Sequence, residues 1–310
     1  MQSTNAILMI RPVNFRMNEQ TAVNNYFQTD IDVANTTINT KAQAEFDAFV
    51  KALTDVGVNV IVVEDTKSPD TPDSIFPNNW ISFHEDGTVG LYPMFAENRR
   101  KERRTDILDI LEEHGFYIKD VMDYTAAEDE GIYLEATGSI ALDRVNKKAY
   151  CALSARADED LFIEFCEDFD YAPVIFTANQ SVDGKRKPIY HTNVMMCVAE
   201  NFAVICLDSI DDKKERYAVL SHLKDDGKEV VSISEEQMHH FAGNMLQVTG
   251  AGAQRYLVMS TQAFHSLNEE QVAAIEKHCR ICHSSLETIE TCGGGSARCM
   301  MAEVFLPKAD

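Results

Sequence analysis

Residues 193–233, NVMMCVAENFAVICLDSIDDKKERYAVLSHLKDDGKEVVSI, contain the pattern that decides the fold. Residues 193–199 and 202–207 are apolar segments separated by a polar dipeptide, and they predict a pair of strands. An amphipathic pattern over residues 211–223 then predicts a helix, and the β-branched segment 229–233 predicts a third strand. The predicted unit is therefore two strands, a helix and a strand.

This unit recurs along the chain. Further helical patterns cover residues 40–56, 99–113, 158–169 and 268–278, each next to strand-like segments, so successive units begin roughly 55 residues apart. Repetition on this scale is typical of a ring or solenoid, and the helix in each unit excludes an all-β propeller. We therefore predict an α/β fold, a five-bladed α/β propeller formed by one domain over residues 1–310, with functional residues supplied by several units.

Composition narrows the class of partner. The chain has 310 residues, with 50 Asp and Glu against 28 Lys and Arg and a formal net charge of -22. Nucleic acids and anionic membranes require a basic face, so neither is expected as a partner. The first nine residues lack a secretory pattern, and no segment has the roughly 18 consecutive apolar residues of a membrane helix. We expect a cytoplasmic protein whose eight cysteines are reduced thiols.

The C-terminal stretch 292–305, CGGGSARCMMAEVF, supplies a candidate nucleophile. Three consecutive glycines disfavour a helix or strand and favour a loop that a ligand can approach closely. Cys299 follows this loop and precedes an apolar run that predicts a last strand. His191 begins another strand pair. An imidazole beside a thiol is the minimal set for nucleophilic catalysis, because it lowers the pKa of the thiol and then acts as acid and base. A buried structural cysteine and a structural histidine are the alternatives.

Two further segments bring acids and amides to the starts of units. Glu135 lies within 134–139, LEATGS, where a carboxylate among apolar and small residues must be paired or bind a ligand. The segment 72–80, PDSIFPNNW, combines Asp73, an Asn pair and the one Trp of the chain. Each segment alone is also compatible with a turn. Their equivalent positions in successive units favour a shared site.

Two other motifs have weaker functional interpretations. Residues 278–283, HCRICH, contain the letters of a covalent haem attachment site, but that chemistry requires export. A zinc site would need a second Cys-x-x-Cys, so the motif is best explained as the end of an amphipathic helix. Residues 98–104, NRRKERR, predict a solvated helix face whose first residues could bind a carboxylate.

Taken together, these motifs resemble the guanidino-group modifying superfamily, which includes amidinotransferases and arginine-deiminase-related enzymes and has a five-bladed α/β propeller (pentein) fold with pseudo-fivefold symmetry. The resemblance extends from the Asp73 segment to Cys299 and, through the repeats, over nearly the whole chain. The most similar branch contains the dimethylarginine dimethylaminohydrolases and the citrulline hydrolases. It implies these site residues: catalytic Cys299, His191 and Glu135; substrate-binding Asp73, Phe76, Asn78, Asn79, Arg99 and Arg156.

In this resemblance Cys299 attacks, His191 is the acid and base, and Glu135 orients the reacting group of the substrate and the imidazole. Arg99 and Arg156 hold the α-carboxylate of an amino-acid substrate. The resemblance implies no metal and no organic cofactor, and it leaves a homo-oligomer open.

One departure concerns the substrate. Where dimethylargininases and arginine deiminases carry acidic residues, this chain has Asn78 and Asn79. A guanidinium only donates hydrogen bonds and prefers carboxylates, whereas a neutral ureido group also accepts. The sequence therefore predicts hydrolysis of L-citrulline to ornithine, ammonia and carbon dioxide through a covalent cysteine intermediate. The Phe-Pro-Asn-Asn-Trp string also resembles the citrulline-hydrolase subgroup.

Other functions stay open at this point. Asp73 and Glu135 still supply negative charge, so arginine, a methylated arginine or amidino transfer to an amine are alternatives. An amino-acid-binding relative without activity is a further alternative, which the joint presence of Cys299, His191 and Glu135 disfavours. A papain-like protease is disfavoured because its cysteine precedes its histidine in the chain.

Overall fold

A computed structural model describes residues 1–309. Within this range the chain forms five three-stranded sheets and one two-stranded hairpin. The strands, in chain order, are β1 (Ala6–Arg11), β2 (Asn59–Glu64), β3 (Ile81–Phe83), β4 (Thr88–Leu91), β5 (Asp120–Asp123), β6 (Ile140–Asp143), β7 (Lys148–Ala152), β8 (Ala172–Phe176), β9 (Asn179–Val182), β10 (Lys185–Pro188), β11 (Met196–Val198), β12 (Phe202–Ile205), β13 (Glu229–Ser232), β14 (Leu246–Thr249), β15 (Arg255–Ser260), β16 (Arg280–Ser284) and β17 (Ala302–Glu303).

Helices occur in the connections of every unit. They are α1 (Asn35–Asp55), α2 (Glu97–Arg100), α3 (Asp106–Glu113), α4 (Ala136–Ser139), α5 (Glu159–Asp168), α6 (Thr192–Met195), α7 (Lys213–Asp225), α8 (Glu235–His239), α9 (Thr261–Ser266), α10 (Glu269–Glu276) and α11 (Glu287–Gly293). Short 3₁₀ turns include Pro77–Asn79 and Ala297–Met300. Within residues 1–309, no helix combines the length and the apolar character that crossing a bilayer requires.

The five sheets share one topology. Their strand orders are β17-β1-β2, β3-β4-β5, β6-β7-β8, β11-β12-β13 and β14-β15-β16. In each sheet the middle strand is antiparallel to the first strand and parallel to the third. The parallel pair requires a crossover, and helices supply it in every unit. The predicted α/β class and its recurring unit are confirmed.

The first sheet is assembled from both ends of the chain. β17 pairs antiparallel with β1, with Ile7 opposite Glu303 and Leu8 opposite Ala302. The apolar run after Cys299 therefore continues into the first strand of the first sheet. The sequence analysis had assigned this segment to the fifth unit. Its pairing with β1 could not be foreseen, because the two strands lie almost the whole chain length apart.

The repeated pattern arises from simple amphipathic spacing. Helix α1 buries residues three, four or seven positions apart and packs them against β16 and α11: Ile38, Ala42, Phe46, Phe49 and Leu53. Gly57 follows the helix with a φ of +87°, a conformation that side chains rarely adopt. The chain can then turn directly into β2. The buried face of α1 therefore joins the first sheet, to which its chain neighbours β1 and β2 belong, to the sheet of β14, β15 and β16.

Several local predictions were wrong. The strand expected over residues 193–199 is limited to β11, because its first residues belong to α6. The helix expected over residues 99–113 is divided into α2 and α3, and the third strand of that unit lies at β5 rather than at 116–121. The strand expected at 284–287 is β16, and Glu287 already begins α11. The hairpin of β9 and β10 was missed. Its Asp183-Gly184 turn has two positive φ angles, which is the backbone conformation an Asp-Gly hairpin turn adopts.

Candidate active site

The site is formed by short turns that precede the first strands of the sheets. Asn79 precedes β3, Glu135 precedes β6, His191 precedes β11 and Cys299 precedes β17. Equivalent positions in a repeated unit thus deliver different side chains to one place. A cavity of ≈ 10 Å³, about the least volume that admits one water molecule, lies among Asn79, His191 and Cys299.

Most of the predicted residues meet at this cavity. Seven of the nine line it directly: Asp73, Phe76, Asn79, Arg99, Arg156, His191 and Cys299. Glu135 lies behind His191, and Asn78 contacts the amide of Asn79. The segment 12–34 covers the cavity and contributes Asn25 to its lining.

Glu135 holds the imidazole of His191, the predicted acid and base. Its Oε2 lies 2.6 Å from Nε2 of His191, and both side chains are fully buried. Burial would raise the pKa of Glu135, but Arg156 and the hydrogen bond from His191 outweigh it and lower the pKa to about 2. Burial lowers the pKa of His191 to about 4, although the carboxylate opposes this shift. At neutral pH the histidine is therefore a neutral base beside an ionised acid.

The sulfur of Cys299, the predicted nucleophile, contacts amides rather than the histidine. Asn244 Nδ2 lies 3.2 Å from Cys299 Sγ, and Asn193 Oδ1 lies 3.8 Å from the same sulfur. Among residues 1–309 no hydrogen bond joins His191 to Cys299. Burial raises the pKa of the Cys299 thiol, so the resting pair is a neutral thiol and a neutral imidazole. The sequence-based expectation that His191 lowers the thiol pKa finds no contact to support it.

Arg99 organises the binding wall. Its guanidinium donates to Glu102 at 2.9 Å, to Asn79 Oδ1 at 2.8 Å and to the carbonyl of Phe76 at 3.2 Å. Because these partners already use most of its donors, Arg99 holds the wall in place. Its predicted contact with a substrate carboxylate stays a prediction.

Asp73 is held from the covering segment. Its Oδ2 accepts from Asn18 Nδ2 at 2.8 Å and from Thr21 Oγ1 at 3.1 Å. Its Oδ1 is buried without a hydrogen-bond partner within the described residues. Burial raises the pKa of Asp73 against the opposing effect of Arg99. A buried acceptor that lines a cavity and lacks a partner is suited to a ligand N–H.

Arg156 faces neutral oxygen atoms of the same covering segment. Its Nε donates to Asn24 Oδ1 at 3.0 Å, and its Nη2 donates to the carbonyl of Thr21 at 3.0 Å. The guanidinium also lies 4.9 Å from the centre of the Tyr190 ring and 3.5 Å from Glu135. An amide oxygen therefore occupies the edge that a carboxylate would engage in a bidentate pair.

The glycine run shapes the floor of the cavity. Gly294 ends α11 with a φ of +61°, in the left-handed region. At Gly295, an added Cβ would lie 2.9 Å from the Phe76 ring, so only glycine allows the ring this close. Asn25 donates to the carbonyls of Gly293 and Gly294 and ties the covering segment to this loop.

Two features of the site were missed by sequence analysis. Asn244 and Asn24 both contact side chains on which the predicted chemistry depends. Asn244 lies just before β14, the place that Asn79 and Glu135 hold in their units, so extending the repeat argument to the fifth unit would have indicated it. Asn24 had no such signal, because the covering segment lies outside the repeat.

The HCRICH motif of residues 278–283 does not form a site. Cys279 and Cys282 are both buried, but they pack in different hydrophobic clusters. Within residues 1–309 no group of three or more His, Cys, Asp or Glu side chains has the arrangement of a metal site.

The fold and the grouping of Cys299, His191 and Glu135 are those expected of hydrolases that act on non-peptide C–N bonds through a cysteine nucleophile. A family model described as N,N dimethylarginine dimethylhydrolase, eukaryotic, matches residues 11–306. The chain therefore belongs to this family, and with it to the dimethylargininase-like branch of the guanidino-group modifying superfamily, as the sequence analysis predicted.

Solved structures agree with this assignment. The apo structure of ArgZ, an arginine dihydrolase from the ornithine-ammonia cycle in cyanobacteria, is similar at a TM-score of 0.74 and 16% identity, over 98% of this chain and 41% of that chain. The substrate-bound N-terminal domain of ArgZ matches at a TM-score of 0.70 and 15% identity, over 97% of this chain and 99% of that chain.

A third structure is DDAH from Pseudomonas aeruginosa complexed with citrulline, which matches at a TM-score of 0.67 and 13% identity over 98% of this chain and 100% of that chain. At these identities the likeness shows the fold. This chain spans about two fifths of full-length ArgZ. A search of curated proteins gave no match.

Proposed function

We propose that this protein hydrolyses the ureido C–N bond of L-citrulline, giving ornithine, ammonia and carbon dioxide through a covalent intermediate on Cys299. The observation that carries the proposal is the orientation of the Asn79 amide. Arg99 Nη1 donates to Asn79 Oδ1 at 2.8 Å. A guanidinium can only donate, so the oxygen of Asn79 must face Arg99.

The amide nitrogen of Asn79 is consequently the end that can contact a ligand. One of its hydrogens goes to Asn78 Oδ1 at 3.0 Å, and the other has no acceptor within the described residues, so we assign it to a ligand in the cavity that Asn79 lines. A ureido group offers a carbonyl oxygen to this donor. A guanidinium offers only further donors, so the amide would face it without a bond.

Asp73 complements this donor. Asp73 lines the same cavity, and its Oδ1, which has no hydrogen-bond partner within the described residues, is the atom that we assign to a ureido N–H. One donor and one acceptor therefore match the two sides of a neutral ureido group. This match supports citrulline over a cationic head group, although Asp73 is an acid.

The proposed reaction uses the neutral resting pair. As Cys299 Sγ attacks the ureido carbon, its proton passes to the imidazole nitrogen that is not bonded to Glu135. The resulting imidazolium is stabilised by the ionised carboxylate and gives the proton to the departing nitrogen. Water, deprotonated by the same imidazole, then attacks the thiocarbamoyl carbon, and the Cys299 sulfur leaves and takes the proton back from the imidazolium. The carbamate that forms decomposes to carbon dioxide and the second amine. Either nitrogen of the ureido group can leave first, because both orders give ornithine, ammonia and carbon dioxide.

The amino-acid end of the substrate is assigned to Arg156, with Arg99 as the second predicted contact. Asn24 holds the Nε and Nη2 edge of Arg156 in the closed state. A substrate carboxylate would displace this amide, because a charged bidentate pair is stronger than a neutral contact. We further propose that the segment 12–34 opens as a lid, since the cavity of ≈ 10 Å³ beside Cys299 is too small for an amino acid.

A guanidine substrate is the second candidate, and the comparisons favour it. The matching family is described by dimethylarginine, and ArgZ is described as an arginine dihydrolase. Asp73 and Glu135 place negative charge near the head group, which suits a cation. Amidino transfer to an amine would begin with the same attack by Cys299.

The remaining parts of the proposal concern the whole molecule. The first strands of several sheets contact one another, including β17 with β3 and β6 with β11. This supports a five-bladed propeller with the site on its axis and one domain over residues 1–310. The acidic composition supports a small-molecule partner and a cytoplasmic location, without nucleic acid or membrane.

Product analysis tests the proposal. Purified protein is incubated separately with L-citrulline, L-arginine and asymmetric dimethylarginine, and ornithine, citrulline and ammonia are quantified, with Cys299→Ala as the control. The proposal predicts ornithine and ammonia from citrulline and no product with the control. Citrulline formed from arginine or dimethylarginine, with citrulline itself unreacted, would contradict the ureido assignment and support the second candidate.

A further inference from the structure

The sulfur of Cys299 has a polar environment that the proposed mechanism has not yet used. Asn244 is fully buried, and its Nδ2 lies 3.2 Å from Sγ. Sulfur is a large acceptor, and this separation lies within hydrogen-bond range. The Asn244 side chain therefore touches the reacting atom.

The orientation of the Asn244 amide follows from its other contacts. The backbone N–H of Arg298 donates to Asn244 Oδ1 at 3.0 Å. A backbone N–H can only donate, so the oxygen must face Arg298 and the NH₂ group must face Sγ. The second hydrogen of Nδ2 goes to Asn193, whose carbonyl oxygen lies at 3.0 Å and whose Oδ1 lies at 3.3 Å. Both ends of the amide are thus fixed by the main chain.

Close packing of the neighbouring backbone holds Asn244 beside Cys299. An added Cβ at Gly243 would lie 2.3 Å from the carbonyl oxygen of Val194, so the turn before β14 presses directly on α6. α6 is the helix that follows His191. The same contact therefore sets the position of Asn244 relative to the catalytic segment.

We propose that Asn244 is a catalytic residue, the hydrogen-bond donor that stabilises the Cys299 thiolate when the thiol proton leaves for His191. The proposal rests on Cys299 being the nucleophile of the proposed function and is independent of which head group it attacks. A hydrogen bond to an ionised sulfur is charge-assisted and so stronger than the same contact to the thiol. The amide donor thus acts mainly on the state that attacks.

This assignment divides two tasks that sequence analysis gave to the histidine. His191 is hydrogen-bonded to Glu135 and transfers the proton, whereas Asn244 stabilises the negative charge on the sulfur. The side-chain amide of Asn193 lies beside both groups, because its Oδ1 accepts from Asn244 and also lies near Sγ.

The experiment measures thiolate reactivity without any substrate. Cys299 alkylation by iodoacetamide is followed from pH 6 to 10 by peptide mass analysis in the wild type, Asn244→Asp and His191→Ala. Asp keeps an oxygen towards Arg298 and replaces the donor by a carboxylate. We expect the alkylation rate at pH 7.5 to fall about tenfold or more, with the pH midpoint raised by about one unit or more. His191→Ala is expected to stay within about threefold of the wild type.

Controls separate this effect from loss of the fold. Asn201→Asp makes the same substitution in the exposed β11–β12 turn and is expected to react as the wild type does. Asn244→Ser, which shortens the donor without adding charge, should give a smaller loss in the same direction, and each variant is checked by its thermal midpoint. An unchanged pH profile in folded Asn244→Asp or Asn244→Ser would overturn the proposal. So would a loss found only in His191→Ala. Because no substrate is present, failure of the citrulline assignment leaves this outcome unaffected.

Discussion

Replacing Asn79 by Asp is expected to turn substrate preference from the ureido towards the guanidino group. The change keeps an oxygen for Arg99, which lies 2.8 Å from the present Oδ1, and removes the NH₂ group from the cavity. The charged oxygen of the new carboxylate would then face the carbonyl oxygen of the ureido group. Both atoms are acceptors, so no hydrogen bond could form between them. The same oxygen would accept from a guanidinium.

The size of the effect follows from the hydrogen bonds involved. Losing the amide donor costs about 0.5–1.5 kcal/mol, and leaving buried acceptors unpaired costs about 1–3 kcal/mol more. The sum corresponds to a fall of about 10- to 1000-fold in kcat/KM for citrulline. For arginine, the added negative charge is expected to raise kcat/KM or to leave it unchanged.

The assay is the ratio of kcat/KM for citrulline to that for arginine, measured by ornithine and citrulline release. Asn78→Asp is the matched control, since Asn78 adjoins Asn79 but does not line the cavity. We expect this control to change the ratio less than the Asn79 variant does. If Asn79→Asp lowers both activities equally, or leaves the ratio intact, the argument from the amide orientation is wrong.

Three further predictions follow from the site. Glu135→Gln removes the charge that stabilises protonated His191, so kcat should fall about 10²–10⁴-fold in single-turnover kinetics; a fall below tenfold would contradict the role. Asn24→Ala frees the edge of Arg156, so KM should fall about two- to tenfold, whereas a raised KM would show that Asn24 itself binds substrate. Burial raises the pKa of Glu290 from 4.5 to about 7, so its ionisation destabilises the folded state as pH rises through this window. In urea unfolding, Glu290→Gln should therefore gain about 2–3 kcal/mol over the wild type between pH 5 and pH 8, and a gap that does not change with pH would refute this.

The repeated unit could be predicted because its signals are local. Segments such as 229–233 alternate or cluster β-branched residues within a few positions, and α1 shows its buried face in the spacing of Phe46, Phe49 and Leu53. The same locality explains the errors. The break between α2 and α3 involves Arg103, which reaches across to Glu128 at 2.5 Å, a contact that no helical pattern contains.

The candidate site was predictable as a set of residues but not as a geometry. Cys299, His191 and Asn79 do meet at one cavity, in keeping with their equivalent places in the repeat. Their hydrogen-bond partners depend on distant segments: Asn244 reaches Cys299 across 55 positions and Asn24 reaches Arg156 across 132. Such contacts exist only once the sheets have assembled, so sequence spacing could not reveal them.

The substrate is the central claim, and competition in one vessel tests it most directly. The wild-type protein receives equimolar L-citrulline and L-arginine, and the consumption of both is followed at early times. The ratio of the two rates equals the ratio of the kcat/KM values. The account predicts that citrulline disappears first, with ornithine rising and arginine nearly constant. Preferential loss of arginine, with citrulline accumulating, would contradict it and make this protein a guanidine hydrolase.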